Sequence, residues 1–144
     1  MIKRIDHIGI VVKDIKEALK VYQQALGLGV TEIQERPDLG ATIAFLPIGE
    51  SEIELVQPVT IDSDAAKFSE KRGEGIHHIC LEVDDIEKAL ADLRKKGLQL
   101  IDEVPRTGPR GERLAFIHPK SAHGVLIELY EYRESETAHD SDSQ

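Results

Sequence analysis

From Ile8 to Val12 an apolar residue recurs at every second position (Ile8, Ile10, Val12), the period of a strand with one buried face. The period then lengthens. Ile15, Ala18, Leu19 and Tyr22 fall at helical spacing, Asp14 stands where an N-cap or first-turn acid belongs, and Gly27 ends the run. Three further strand segments follow, at Thr31 to Gln34, Thr42 to Leu46 and Glu52 to Val56. The same succession then begins again. Ile79, Leu81 and Val83 alternate, Ile86, Ala89, Leu90 and Leu93 follow helical spacing behind Asp85, and strands are predicted at Gln99 to Glu103, Arg113 to His118 and Val125 to Tyr130. Pro37, Pro47, Pro105 and Pro109 lie between strand segments or at their ends, where a missing N–H is tolerated. A short helix, Ala65 to Lys71, is predicted in the connection.

The recurrence is an internal repeat. Shifted by 71 residues, IDHIGIVVKDIKEAL (5–19) lies over IHHICLEVDDIEKAL (76–90) with eight identities in fifteen positions; ordinary residue usage gives about one by chance. His7 meets His78, Asp14 meets Asp85, and Leu19 meets Leu90. The offset holds at Ala44-Phe45 against Ala115-Phe116, then grows to 74 at Ile53-Glu54-Leu55 against Ile127-Glu128-Leu129. A longer last hairpin in the second copy explains the change. The expected fold class is α+β, with two tandem β-α-β-β-β modules pairing into a curved mixed sheet that forms a cup. One domain spans 1–132, with module one at 2–60, a linker at 61–75 and module two at 76–132.

Strand alternation also assigns faces. Ile8, Ile10 and Val12 point one way, towards a covering helix, and leave His7 on the other face; Ile79, Leu81 and Val83 do the same for His78. Glu54 between Ile53 and Leu55, and Glu128 between Ile127 and Leu129, likewise face away from the helices. Two imidazoles and two carboxylates on the helix-free side suit one divalent ion, Co, Zn, Mn or Ni, with positions left open for water or substrate. His77 alternates to the face opposite His78 and is expected in a supporting or surface role. His118, His123 and His139 have no counterpart in the repeat and are left out of the site.

Charge narrows the possible partners. The net charge of −9, from 27 acidic against 18 basic residues, argues against a nucleic-acid surface. From Glu131 onward five acids oppose only Arg133, so residues 133–144 are expected to be a disordered acidic tail. No apolar run is long enough to span a bilayer. The start, MIKRIDHIGIVV, shows no signal-peptide pattern, so no membrane partner and a cytoplasmic location are expected. Cys80, the single cysteine, lies in the apolar run HHICLEV and is expected in the core.

With its two modules and this His/Glu pattern, the chain resembles the vicinal oxygen chelate superfamily (glyoxalase, bleomycin resistance and dioxygenase proteins) over residues 2 to 132. Within it, GIHHICLEVDDI (75–86) and FIHPKSAHGVLIEL (116–129) look like the methylmalonyl-CoA epimerase family. The resemblance implies metal ligation by His7, Glu54, His78 and Glu128, an acyl-CoA substrate, a homodimer, and acid–base work at C2 of methylmalonyl-CoA by Glu128 and Glu54. Some relatives carry a carboxylate on the strand equivalent to Ala41–Phe45; ATIAF has none. For the phosphates of coenzyme A the expected anchors are Arg110, Arg113, Lys120 and Ser121. A lactoylglutathione lyase of the glyoxalase I type, or a non-catalytic small-molecule-binding member of the superfamily, is the alternative the same resemblance allows.

Overall fold

A computed structural model describes residues 1–108 and 111–132. Arg110 and the expected acidic tail lie outside the described residues. The chain is α+β and forms two compact units, one made of His7–His78 and one of Met1–Asp6 with the chain from Ile79 onward.

In the unit His7–His78, the last part of β1 (Ile2–Val11) leads through Asp14, whose side chain accepts from the Lys16 N–H at 2.9 Å, into α1 (Ile15–Leu19). A π turn, Lys20–Ala25, continues the helix. Strands β2 (Glu32–Arg36), β3 (Ala41–Ile48) and β4 (Ser51–Pro58) then stand in the order β2-β3-β4-β1. β2-β3 and β3-β4 are antiparallel; β4-β1 is parallel because the helix returns the chain to the end at which β1 began and two antiparallel hairpins then follow. The β3-β4 hairpin closes on a two-residue turn with Gly49 at φ +56°, a conformation that glycine adopts without strain. Ile10, Val12, Ile53 and Leu55 pack with Ala44 and Leu46 against Ile15, Ala18, Leu19 and Tyr22, the stripe set by helical spacing. α2 (Asp64–Arg72) lies over the predicted short helix, and Ser63 caps it by accepting from the Ala66 N–H at 3.1 Å.

The other unit repeats the plan. β5 (Gly75–Val83) leads to α3 (Ile86–Lys95), capped by Asp85, whose carboxylate accepts from the Lys88 N–H at 3.1 Å. β6 (Arg106–Thr107), β7 (Arg113–Ile117) and β8 (Ile127–Glu131) follow, in the order β5-β8-β7-β6, with β5-β8 parallel. Its core gathers Val83, Ile86, Leu90, Ala115, Ile117 and Leu129. The longer last connection contains a 3-10 turn, Pro119–Ala122, which accounts for the change in repeat offset.

One predicted strand is not formed. At Gln99 to Glu103 only Leu100 makes a lone bridge, to Ile117. The side chain of Asp102 accepts from the Phe116 N–H at 2.9 Å, taking a donor that a ladder carbonyl would have used. The Ile101 and Asp102 N–H groups both turn to the Phe116 carbonyl, and pairing resumes only after Pro105, at Arg106. At the unit's other end, Arg4 donates to Glu82 at 2.6 Å and to Asp6 at 3.1 Å, and the Tyr132 hydroxyl donates to Asp6 at 2.7 Å. Among the described residues no helix is long and apolar enough to cross a membrane.

Candidate metal centre

Ile10 of β1 and Val12 just after it pack into the core, so alternation sends His7 to the opposite face, where it is only 3% exposed. The parallel register sets Glu54 beside Gly9, and Glu54 Oε2 stands 3.4 Å from His7 Nδ1. The other ring nitrogen of His7, Nε2, is 3.0 Å from Nε2 of His78. The two rings meet edge to face at 90° with centroids 5.1 Å apart. His78 occupies this place because Gly9 has no side chain. A Cβ on Gly9 would fall 2.6 Å from His78 Nδ1 and 2.9 Å from its Nε2, well inside van der Waals contact.

The far side of the His78 ring is also held. Its Nδ1 is 2.9 Å from Nδ1 of His77, and His77 in turn meets the edge of Phe68 on α2 at 5.1 Å. Sequence alternation points His77 away from His78, and gives no sign of this contact. Alternation fixes the direction of a Cβ and says nothing about how two neighbouring imidazoles turn about χ1 and χ2. The other missed participant is Gly9, whose only signal is a glycine within a strand pattern, a mark of close approach by another group.

These residues suit a divalent ion. The two Nε2 atoms, 3.0 Å apart, are close enough together for one ion to contact both at about 2.0 to 2.1 Å. Neutral imidazole nitrogen together with carboxylate oxygen is the donor set expected for Co, Zn, Mn or Ni. Glu54 Oε2 lies nearest His7 Nδ1, the nitrogen that does not face His78. Glu128 belongs to the other unit. It is 6% exposed on β8, in register with Cys80 of β5 and Phe116 of β7, and its neighbour Leu129 faces the core.

The expected coenzyme A anchors have other engagements or lie elsewhere. Arg113 pairs with Glu87 at 2.8 Å, and the Ser121 hydroxyl accepts from the Gln99 N–H at 2.7 Å. Lys120 is exposed on the 3-10 turn, with its backbone N–H donated to His118 Nδ1. Arg110 is outside the described residues. Cys80 is fully buried, as its apolar setting implies.

Comparison with known proteins decides the family. Residues 6–116 match the model of the Glyoxalase/Bleomycin resistance protein/Dioxygenase superfamily. The chain belongs to that superfamily. Among its superfamily relatives, the ethylmalonyl-CoA/methylmalonyl-CoA epimerase of Cereibacter sphaeroides is 39% identical over 131 residues, covering 90% of this chain and 98% of the relative. The human mitochondrial methylmalonyl-CoA epimerase is 39% identical over 127 residues, covering 88% of this chain and 72% of the relative. A solved methylmalonyl-CoA epimerase, in complex with methylmalonyl-CoA and NH4+, superposes with a TM-score of 0.83 at 36% identity, covering 93% of this chain and 97% of that one. This kinship makes the superfamily member described here an isomerase of the epimerase kind.

Proposed function

We propose that this chain is a methylmalonyl-CoA epimerase in which His7, Glu54, His78 and Glu128 hold one divalent ion. The observation that carries the reading is the pair of Nε2 atoms 3.0 Å apart, with a carboxylate at the second nitrogen of His7, in a chain 39% identical to two epimerases. Glu128 joins the set on its equivalence to Glu54 in the repeat and on its burial. Co, Zn, Mn and Ni remain the candidate ions, since this donor set serves all four.

Epimerisation at C2 removes a proton flanked by a thioester carbonyl and a carboxylate, then returns one to the opposite face. A divalent ion bound here supplies positive charge where the enolate oxygens gather electron density. Two proton-carrying groups are needed, because return of the proton from the side that took it restores the starting configuration. Glu128 is assigned one of these two roles, and Glu54 or a water molecule in the site the other. Arg110, Arg113, Lys120 and Ser121 are assigned to the phosphates of the coenzyme A portion, Arg113 after release from the exposed carboxylate of Glu87. A homodimer acting in the cytoplasm completes the reading; sedimentation and cell fractionation test those two points.

The deciding experiment follows loss of the C2 proton of methylmalonyl-CoA in deuterated water, with cobalt- or zinc-loaded wild type against His78→Ala. Rapid exchange by wild type and a loss of about 10²-fold or more in the variant are expected. Absence of exchange by the loaded wild type defeats the substrate assignment. Equal rates in the two proteins defeat the assigned centre.

A further inference from the structure

His78 is gripped at three points: the bare backbone of Gly9 below the ring, His7 at Nε2 and His77 at Nδ1. The third grip has a chemical consequence. Two neutral imidazoles whose Nδ1 atoms stand 2.9 Å apart form a hydrogen bond only if one of those nitrogens carries a proton and the other a lone pair. The tautomer of one ring therefore dictates that of the other. When His78 Nδ1 holds the proton, His78 Nε2 carries a lone pair directed towards His7, the form that ligates metal.

We propose that His77 is a positioning residue for the centre: its Nδ1 accepts the His78 Nδ1 proton and so holds His78 in the ligating tautomer. The inference rests on the metal reading above for its effect on affinity, while the hydrogen bond itself stands apart from that reading. His77 is suited to the task because its own ring is braced. Phe68 meets it at an interplanar angle of 77°, from a helix anchored by the Ser63 cap and by buried Ala65. The partner that orients a ligating imidazole is commonly a carboxylate or a backbone carbonyl. A second imidazole adds a property those lack. It can give as well as accept, so the pair can exchange tautomers with no change in net charge and with the Nδ1–Nδ1 hydrogen bond kept. In the metal-free chain, where the two Nε2 atoms 3.0 Å apart are themselves within hydrogen-bond reach, the Nδ1 proton can reside on His77; loading would then move it to His78, whose Nε2 proton is released to solvent while His77 takes one up at Nε2, so both rings stay neutral.

Nitrogen-15 NMR of the histidine side chains reads this directly. In metal-free wild type, His77 and His78 are expected to be opposite with respect to Nδ1, one protonated there and the other not. With zinc added, His78 is expected to carry its proton on Nδ1 and His77 on Nε2. His77→Phe retains the contact with Phe68 and removes the acceptor; zinc affinity, measured by chelator competition, should fall about 10- to 100-fold. His77→Gln, which offers an acceptor oxygen, should recover most of that loss. Protons on Nε2 of both rings in both states overturn the inference, as does zinc affinity unchanged in His77→Phe. Opposite tautomers in a wild type that binds no zinc would uphold the His77–His78 bond and sink the metal reading instead.

Discussion

At the scale of single residues, the centre depends on an absence. Gly9 has no positive φ, so the backbone of β1 accepts alanine there; the obstacle is the His78 ring, which a Cβ would meet well inside van der Waals contact. Gly9→Ala is therefore expected to leave the strand intact, cost about 1–3 kcal/mol of stability through overpacking, and displace the imidazole. Urea unfolding and chelator competition should together show a modest stability loss beside a disproportionate loss of metal affinity; unchanged affinity would mean that the ring does not depend on this glycine. Tyr132 presents a different residue-scale effect. Burial, then the hydrogen bond to Asp6 and that carboxylate's charge, push its phenol above the usual tyrosine range. The folded chain keeps a proton that the unfolded chain releases above about pH 10, so this contribution is complete below that pH and is lost as pH rises further. Subtracting the stability profile of Tyr132→Phe from that of wild type should give a difference that is flat up to about pH 9 and declines beyond it.

Elements carry these residues to their places. α1, with the π turn that continues it, and α3 were legible because each stretch presents four apolar residues at helical spacing behind an aspartate, and both aspartates do cap. Leu90, 2% exposed, fastens α3 to Ala115, Ile117 and Leu129. Leu90→Ala should cost about 2–5 kcal/mol, whereas Asp85→Ala should cost about 1 kcal/mol, as measured by denaturant unfolding. A reversed ranking would show that the cap, and not the apolar stripe, holds the helix. The π turn at Lys20–Ala25 was not legible, since the residues that continue the apolar stripe read the same whether the bond runs to the fourth or the fifth residue back. Nor was the lost strand at Gln99 to Glu103. Its composition permits a strand, and only the proximity of the Asp102 carboxylate to the Phe116 N–H diverts it.

For the molecule as a whole, a ligand that binds only the folded chain raises its stability by mass action. At a free metal concentration 100 times the dissociation constant the gain is about 2.7 kcal/mol, and thermal unfolding with cobalt or zinc, then with excess chelator, should show a reversible shift of the midpoint. His78→Ala should lose that shift; an equal shift in the variant would place the bound ion elsewhere. The sequence alone determined the two-module plan, because a strand's period of two and a helix's period of 3.6 are local properties, and a repeat doubles the evidence for each. It also determined which side of their strands His7, Glu54, His78 and Glu128 occupy, which alternation fixes residue by residue. Only the tertiary structure decided how the rings are held: that Glu54 stands at the Nδ1 side of His7, that Gly9 makes room for His78, and that His77 turns back to its neighbour. Those outcomes depend on side-chain torsions and on contacts between residues distant in the chain, and neither quantity leaves a periodic trace in the order of amino acids.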